Sequence, residues 1–269
     1  MKTVFRHTAL AISIALACAA AQADLLKKPA LDVIAAEAIK TPATFPQFLI
    51  NAAQQDASIG NAVQRYVQGE QLQGEELANV ARLLGLYTRL TQEQQVLGTI
   101  TQMVALPTVR DAKIPPHESK AIIDFGVMVE KMAKDFGLQY RNVDNRIFEV
   151  TLPGTGSEEF GILTHADVVP VVPAEWVVDG QQLDPFKVTR IGDKLYGRGT
   201  IDDKGSIATV LYAMKAVKEA KLPLQRSIRL MIETTEETGG DGMKYYQGKT
   251  KLPEYNIVLD SKYPAVVAE

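Results

Sequence analysis

The sequence predicts an α/β domain, with a mixed and mostly parallel sheet flanked by helices, preceded by an α-helical N-terminal segment. Three observations carry that expectation. From Pro29 to about Met103, Ala, Gln, Leu and Glu recur, with interruptions at Thr41-Pro42, Phe45-Pro46, Gly60 and Gly69. After Gly137 the texture changes to short β-type runs separated by turn residues. Ile207, Val210, Leu211, Met214 and Val217 then recur at 3.6-residue spacing, which puts one apolar stripe on a helix from about Lys204 to Ala220.

Each element follows in order. Thr91 ahead of Gln92, Glu93 and Gln94 reads as a capping signal for a helix running toward Leu106 and stopped by Pro107. A second helix is expected from about Glu118 to Phe136, ended by Gly137. Leu138 to Val143 and Ile147 to Leu152 read as paired strands, and Phe160 to Thr164 as a buried strand. Phe186 to Arg190 and Lys194 to Tyr196 flank a Gly192-Asp193 turn, the pattern of a hairpin. Ser227 to Thr234 and Tyr255 to Leu259 are further strands, with a helical segment near Gly242 to Tyr246 between them. No internal repeat or low-complexity linker is visible.

The first residues form a separate object. Lys2 and Arg6 precede an apolar run from Ala9 to Ala21, and Ala21-Gln22-Ala23 has the small-x-small pattern of a secretory cleavage site. The run falls short of the roughly 20 residues that a bilayer crossing needs, so no stable membrane span is expected. Residues 1–23 are therefore predicted to be a signal peptide cut after Ala23, which makes the protein exported and periplasmic. Cys18 leaves a lipoprotein signal as a minor alternative. Cleavage would take the net charge from −3 to −5 and remove the single cysteine, so no disulfide is expected. With 46% hydrophobic and 23% charged side chains the rest is ordinary for a globular chain, which excludes disordered and collagen-like classes. No basic run is present to engage a phosphate backbone, so nucleic acid is excluded as a partner.

Four polar clusters fall where predicted strands run out: His165-Ala166-Asp167, Asp202-Asp203-Lys204, Glu236-Glu237 and Asp260. In an open α/β sheet the carboxyl ends of the strands face one crevice, where residues distant in sequence converge. One imidazole among several carboxylates has the donor set of a divalent transition-metal site. In the His-x-Asp run, side chains i and i+2 share a face, so the Asp167 carboxylate can accept the second N–H of His165 and fix its tautomer. Asp202-Asp203 also reads as a helix N-cap pair, a role compatible with one carboxylate reaching a metal. Glu236-Glu237 follow an apolar strand and precede Gly239-Gly240, which allow close backbone approach. The bland readings are a solvated turn for the glutamates and a surface turn for Asp260. Trp176 reads as a packing residue. The pair Gly154-x-Gly156 lacks the downstream helix that a dinucleotide site needs.

The stretches His165-Ala166-Asp167-Val168-Val169-Pro170, Gly197-Arg198-Gly199-Thr200-Ile201-Asp202-Asp203-Lys204-Gly205 and Glu236-Glu237 before Gly239-Gly240 together resemble the M20 metallopeptidase family. The ending Leu259-Asp260-Ser261-Lys262-Tyr263-Pro264 resembles its dipeptidase branch, of PepV and Sapep type. The resemblance covers about Met103 to the end and implies a zinc-peptidase-like catalytic domain, here incomplete. It divides the chain into residues 24–103, a helical segment with little family signal, and residues 104–269, the N-terminal part of the catalytic domain.

By that resemblance His165 and Asp260 bind one metal, Asp202 bridges two, Glu237 binds the second, Glu236 is the general base and Asp167 orients His165. Two Zn²⁺ ions per complete site are implied, with Mn²⁺ or Co²⁺ as alternatives. The implied reaction is hydrolysis of dipeptides or short peptides by a hydroxide held between the ions, in a protein that dimerises with itself when full length. Family members place a later histidine on the second metal. Only His7, His117 and His165 occur here, and no lid or dimerisation domain follows, so the sequence reads as truncated and the chain as inactive on its own. Two other functions stay open, an N-acyl amino acid deacylase with the same centre and a metal-binding fragment without turnover.

Overall fold

A computed structural model describes residues 28–38 and 44–260. The predicted signal peptide lies outside the described residues. By its internal contacts the chain forms two units, one comprising residues up to 94 together with 212–225, the other 95–211 together with 226–260.

The first unit is helical. Helices α1 (Lys28–Ala38), α2 (Phe45–Gln55) and α3 (Gly60–Val67) precede the long α4 (Gly74–Val104), whose last turns belong to the second unit. Aromatic side chains make its core: the Phe45 ring lies 5.6 Å from Tyr66 and 5.4 Å from Tyr87, and Phe48 lies 5.4 Å from Tyr87. Such edge-on and tilted pairs suit the aromatic quadrupole.

The expected helix start at Thr91 is wrong. Helix α4 begins at Gly74, where Glu75 and Glu76 complement the positive end of its dipole, and Thr91 lies inside it. The Thr91 hydroxyl donates to the Tyr87 carbonyl one turn back at 2.8 Å. A threonine satisfied in this way does not cap, which is why the Thr-x-x-x pattern misled. The C-terminal end does fall just before Pro107, as expected.

The second unit holds α5 (Lys120–Asp135), β1 (Gln139–Val143), β2 (Ile147–Leu152) and β3 (Glu159–His165). Two small hairpins follow, β4 (Val177–Val178) with β5 (Gln181–Gln182) and β6 (Thr189–Ile191) with β7 (Lys194–Tyr196). Then come α6 (Lys204–Glu219), β8 (Ser227–Glu233), α7 (Asp241–Gln247) and β9 (Tyr255–Val258). The main sheet has the order β1-β2-β8-β3-β9. Strands β8, β3 and β9 pair in parallel, and β2 runs antiparallel to both of its neighbours. Four of the five strands thus point one way, the mixed and mostly parallel sheet that was expected.

Strand β2 shows how the sheet is covered on both faces. Phe148 stacks 6.5 Å from Phe125 of α5, and a Cβ at Gly126 would come within 2.4 Å of the Phe148 ring, so the glycine lets this helix lie close. The alternate residues Ile147 and Glu149 meet Tyr246 of α7 on the other face, as the two-residue period of a strand requires. The Gly154-x-Gly156 pair has a packing explanation, because a Cβ at Gly154 would sit 2.5 Å from the Arg226 main chain. Among the described residues, no helix is long and apolar enough to cross a membrane.

Candidate metal centre

The site grows from the register of two parallel strands. His165, the last residue of β3, pairs with Glu233, the last of β8, and the ladder continues one step as Ala166 N–H donates to the Glu233 carbonyl at 2.7 Å. Both strands therefore release their following residues at the same edge. The loop after β3 is held from its other side by Thr108, whose hydroxyl donates to the Ala166 carbonyl at 2.6 Å and whose own carbonyl accepts from Val168 N–H at 3.2 Å.

His165 is 1% exposed, and both ring nitrogens are engaged. Nδ1 lies 2.9 Å from the main-chain carbonyl of Asp167, while Nε2 lies 2.9 Å from Asp202 Oδ1 and 3.7 Å from Asp260 Oδ1. An N–H on Nδ1 directed at a carbonyl leaves Nε2 as the nitrogen that can hold a cation. The sequence expectation had the Asp167 carboxylate in that role. The carboxylate is 3.5 Å from Nδ1 and instead accepts the main-chain N–H groups of Glu236 and Glu237, one on each oxygen, at 3.1 Å. In an extended backbone the i+2 carbonyl reached the ring first.

Asp202 sits in the turn before α6, joined to Asp203 by a cis peptide bond. Asp203 and Lys204 are buried, and the Asp203 carboxylate accepts the His165 main-chain N–H at 3.2 Å. The Lys204 ammonium donates to the Leu106 carbonyl at 2.7 Å and lies 5.7 Å from the Phe125 ring. Glu236 and Glu237 occupy a 3-10 turn after β8, closed by Gly239 at φ 110 and Gly240 at φ 69, where left-handed backbone favours glycine. Asp260 follows β9, and its position is set by Leu259, whose N–H donates to Leu163 at 3.0 Å and whose carbonyl accepts from the Ser206 hydroxyl.

So many acids around one ring perturb its protonation. Burial works against a charged His165, but the hydrogen bond and charge of Asp167, together with Asp203, outweigh it and lift the imidazole to about 10. Burial pushes Asp203 up to about 7 and Lys204 down to about 7. Burial also raises Glu236 and Glu237, helped in both cases by Asp202 and Asp167.

The sequence-selected residues do converge. His165, Glu236 and Asp260 form one group, and His165, Asp202 and Glu237 another, with the ligand atoms of each within 4.8 Å of one another. One imidazole and four carboxylates fit a divalent cation by donor type. Glu236, expected to stay off the metal, falls within one of the two groups, although Asp202 and Asp260 approach His165 more closely. His117 takes no part in either group; its Nε2 lies 3.3 Å from an Arg146 nitrogen and 3.7 Å from Glu118. Trp176 is half-buried with the Arg198 guanidinium 5.5 Å from its ring centre. Thr108 was not singled out from sequence, and Lys204 was named with its cluster but given no role and no burial. A lysine beside two aspartates gives no sign of burial, and Thr108 lies 57 residues from the histidine whose loop it holds, which no local pattern reveals.

The class of protein is set by this edge: an α/β sheet carrying a carboxylate-rich, single-imidazole cation centre. Residues 161–265 match the model of peptidase family M20/M25/M40. The chain is 36% identical over 116 residues to YtjP of Bacillus subtilis (strain 168), a match covering 43% of this chain and 24% of that one. To the Beta-Ala-Xaa dipeptidase of Lactobacillus delbrueckii subsp. lactis it is 29% identical over 182 residues, covering 66% of this chain and 37% of the relative. Human carnosine dipeptidase 1 shares the fold, with a TM-score of 0.55 at 20% identity over 65% of this chain and 40% of that structure. The chain thus spans well under half the length of the relatives it matches.

Proposed function

We propose that this chain carries the cation-binding part of a hydrolase that cleaves the peptide bond of dipeptides or short peptides. The observation that supports the reading most is the approach of Asp202 and Asp260 to one nitrogen, His165 Nε2, with Glu236 and Glu237 beside them at the carboxyl edge of the sheet. The match of residues 161–265 to a peptidase family and the dipeptidase names of relatives support the substrate class. When bound, two divalent cations, with zinc as the first choice, supply an acidified water and positive charge for the developing oxyanion.

The residues divide the remaining work. His165, Asp202 and Asp260 hold one cation, and Asp202 and Glu237 hold the other. Glu236 takes a proton from the attacking water and returns it to the leaving amine. Its carboxylate is raised by burial and by the acids around it, which moves it toward the range a base near neutral pH needs. We also infer export, on the strength of Lys2, Arg6, the apolar run and Ala21-Gln22-Ala23, with Asp24 as the first mature residue.

The test compares Glu236→Gln with Glu237→Gln, measuring bound metal beside hydrolysis of a dipeptide panel and of N-acyl amino acids. Glu236→Gln should keep its metal and lose about two to four orders of magnitude in kcat, the scale of lost acid–base catalysis. Glu237→Gln should lose metal. Equal loss of metal in both would overturn the division, and a preference for N-acyl amino acids would make the protein a deacylase.

A further inference from the structure

The two N–H groups at the start of the Glu236–Thr238 turn are donors that a short helix cannot satisfy internally. Water usually takes them. Here both go to one side chain, the carboxylate of Asp167, which is 4% exposed and gives one oxygen to each at 3.1 Å. The far end of the turn is fixed separately, by Gly240 N–H on the Thr235 carbonyl at 2.8 Å and by Gly242 N–H on the Thr235 hydroxyl at 2.7 Å. Asp167 is itself well placed to hold something. Its carbonyl lies 2.9 Å from the His165 ring, and Thr108 hydrogen-bonds both residues that flank it. The same residue therefore meets the ring with its main chain and the glutamates with its side chain.

We propose that Asp167 is a positioning residue for the glutamate pair. Its carboxylate fixes the backbone from which Glu236 and Glu237 diverge, and so sets how far Glu237 reaches toward Asp202, while the orientation of His165 is carried by the Asp167 carbonyl. The inference rests on the proposed role of Glu237 as a ligand. A carboxylate is needed because it offers two acceptors and no donor. Asparagine would keep the shape and the charge-independent contact to His165, yet its amide N–H₂ would face one of the two N–H groups.

Asp167→Asn, Asp167→Glu and Glu237→Gln, each compared with the wild-type chain, test this by Co²⁺ or Zn²⁺ titration and by NMR of the amides and the His165 ring. In Asp167→Asn the amide protons of Glu236 and Glu237 should exchange at least about tenfold faster, and the ion assigned to Asp202 and Glu237, the weaker of the two because no imidazole holds it, should bind about ten- to a hundred-fold less tightly, the range seen when a partner of a ligand is lost. The tighter ion and the Nδ1–H tautomer of His165 should stay as in the wild type. Asp167→Glu keeps both acceptors and the charge and should recover part of the lost affinity, which also serves if the asparagine variant folds poorly. An altered His165 tautomer with unchanged Glu236 and Glu237 exchange would overturn the proposal, as would unchanged metal binding in both Asp167 variants. Glu237→Gln tells which reading failed: if it too leaves both ions in place, the ligand role of Glu237 falls, and if it releases the weaker ion, only the role of Asp167 does.

Discussion

A cation arriving at this centre meets a proton first. With His165 lifted to about 10, the protonated ring outweighs the neutral one by about a thousandfold at pH 7. The ion must displace that proton from Nε2, so its apparent affinity at pH 7 should be about three orders of magnitude below that for the neutral ring, and should rise about tenfold per pH unit toward 10. Asp203 and Lys204 titrate near 7 and blur the lower range. The clean window is therefore about pH 8 to 9.5, where the His165 proton alone remains to be released.

Thermal unfolding is a poor readout of the same effect. His165, raised from 6.5, adds stability that is complete below about 6.5 and is lost as pH rises to about 10. Lys204, lowered from 10.5, carries a cost that is complete below about 7 and is relieved as pH rises to 10.5. Each ramp is on the order of 5 kcal/mol, and they run in opposite directions. The assay is instead chelator competition for the first ion, corrected for protonation of the chelator, with proton release counted in a weakly buffered solution. A slope of about one in log affinity against pH and about one proton per ion are expected. A flat profile without proton release would refute the reasoning, because it would mean that the ring is already neutral without metal.

Two further outcomes are expected. Gly205→Ala would normally favour a helix by up to about 1 kcal/mol, but here the new Cβ would lie 2.2 Å from the Thr200 carbonyl oxygen, so the variant should lose about 1–3 kcal/mol in urea unfolding and bind metal less tightly as the Asp202 turn is displaced. Tyr246→Phe removes a buried hydroxyl shared between Glu149 and Arg229 and should cost about 1.5–3 kcal/mol by the same measurement, with metal titration unchanged.

What could be read in the sequence was whatever repeats at the period of its own element. The apolar stripe of α6 and the run Phe160 to Thr164 identify a helix and a strand because burial on one or both faces demands those patterns. The clusters at His165 and Glu236-Glu237 were legible for a related reason: polar residues that directly follow buried strands have few structural uses. Asp202 lies in the turn before α6 and Asp260 follows the largely exposed β9, so the expectation that both close buried strands does not hold, and their motifs alone marked them. Contacts across the chain were not legible. The choice between the Asp167 carbonyl and carboxylate as partner of His165 depends on a turn 69 residues later. The burial of Lys204 depends on Leu106, far earlier in the chain. Nor does the unbroken stripe of α6 show that contacts assign its second half, from Tyr212, to the helical unit.

The pairing of His165 with Glu233 also determines where the chain can change length. A strand advances about 3.3 Å per residue and turns its side chains over with each step. One residue inserted within β3 would lift the imidazole by that distance and send it to the opposite face, away from Asp202 and Asp260. The stretch between Val168 and Gly197, with its two small hairpins, is bound by no such ruler. Its ends are set by the Thr108 contacts and by the turn into α6, where Lys204 N–H donates to the Gly199 carbonyl, and the residues between can lengthen or shorten while His165 and Asp202 keep their spacing. Insertions there should be tolerated by the centre, and that segment can diverge without moving the residues proposed to hold the cations.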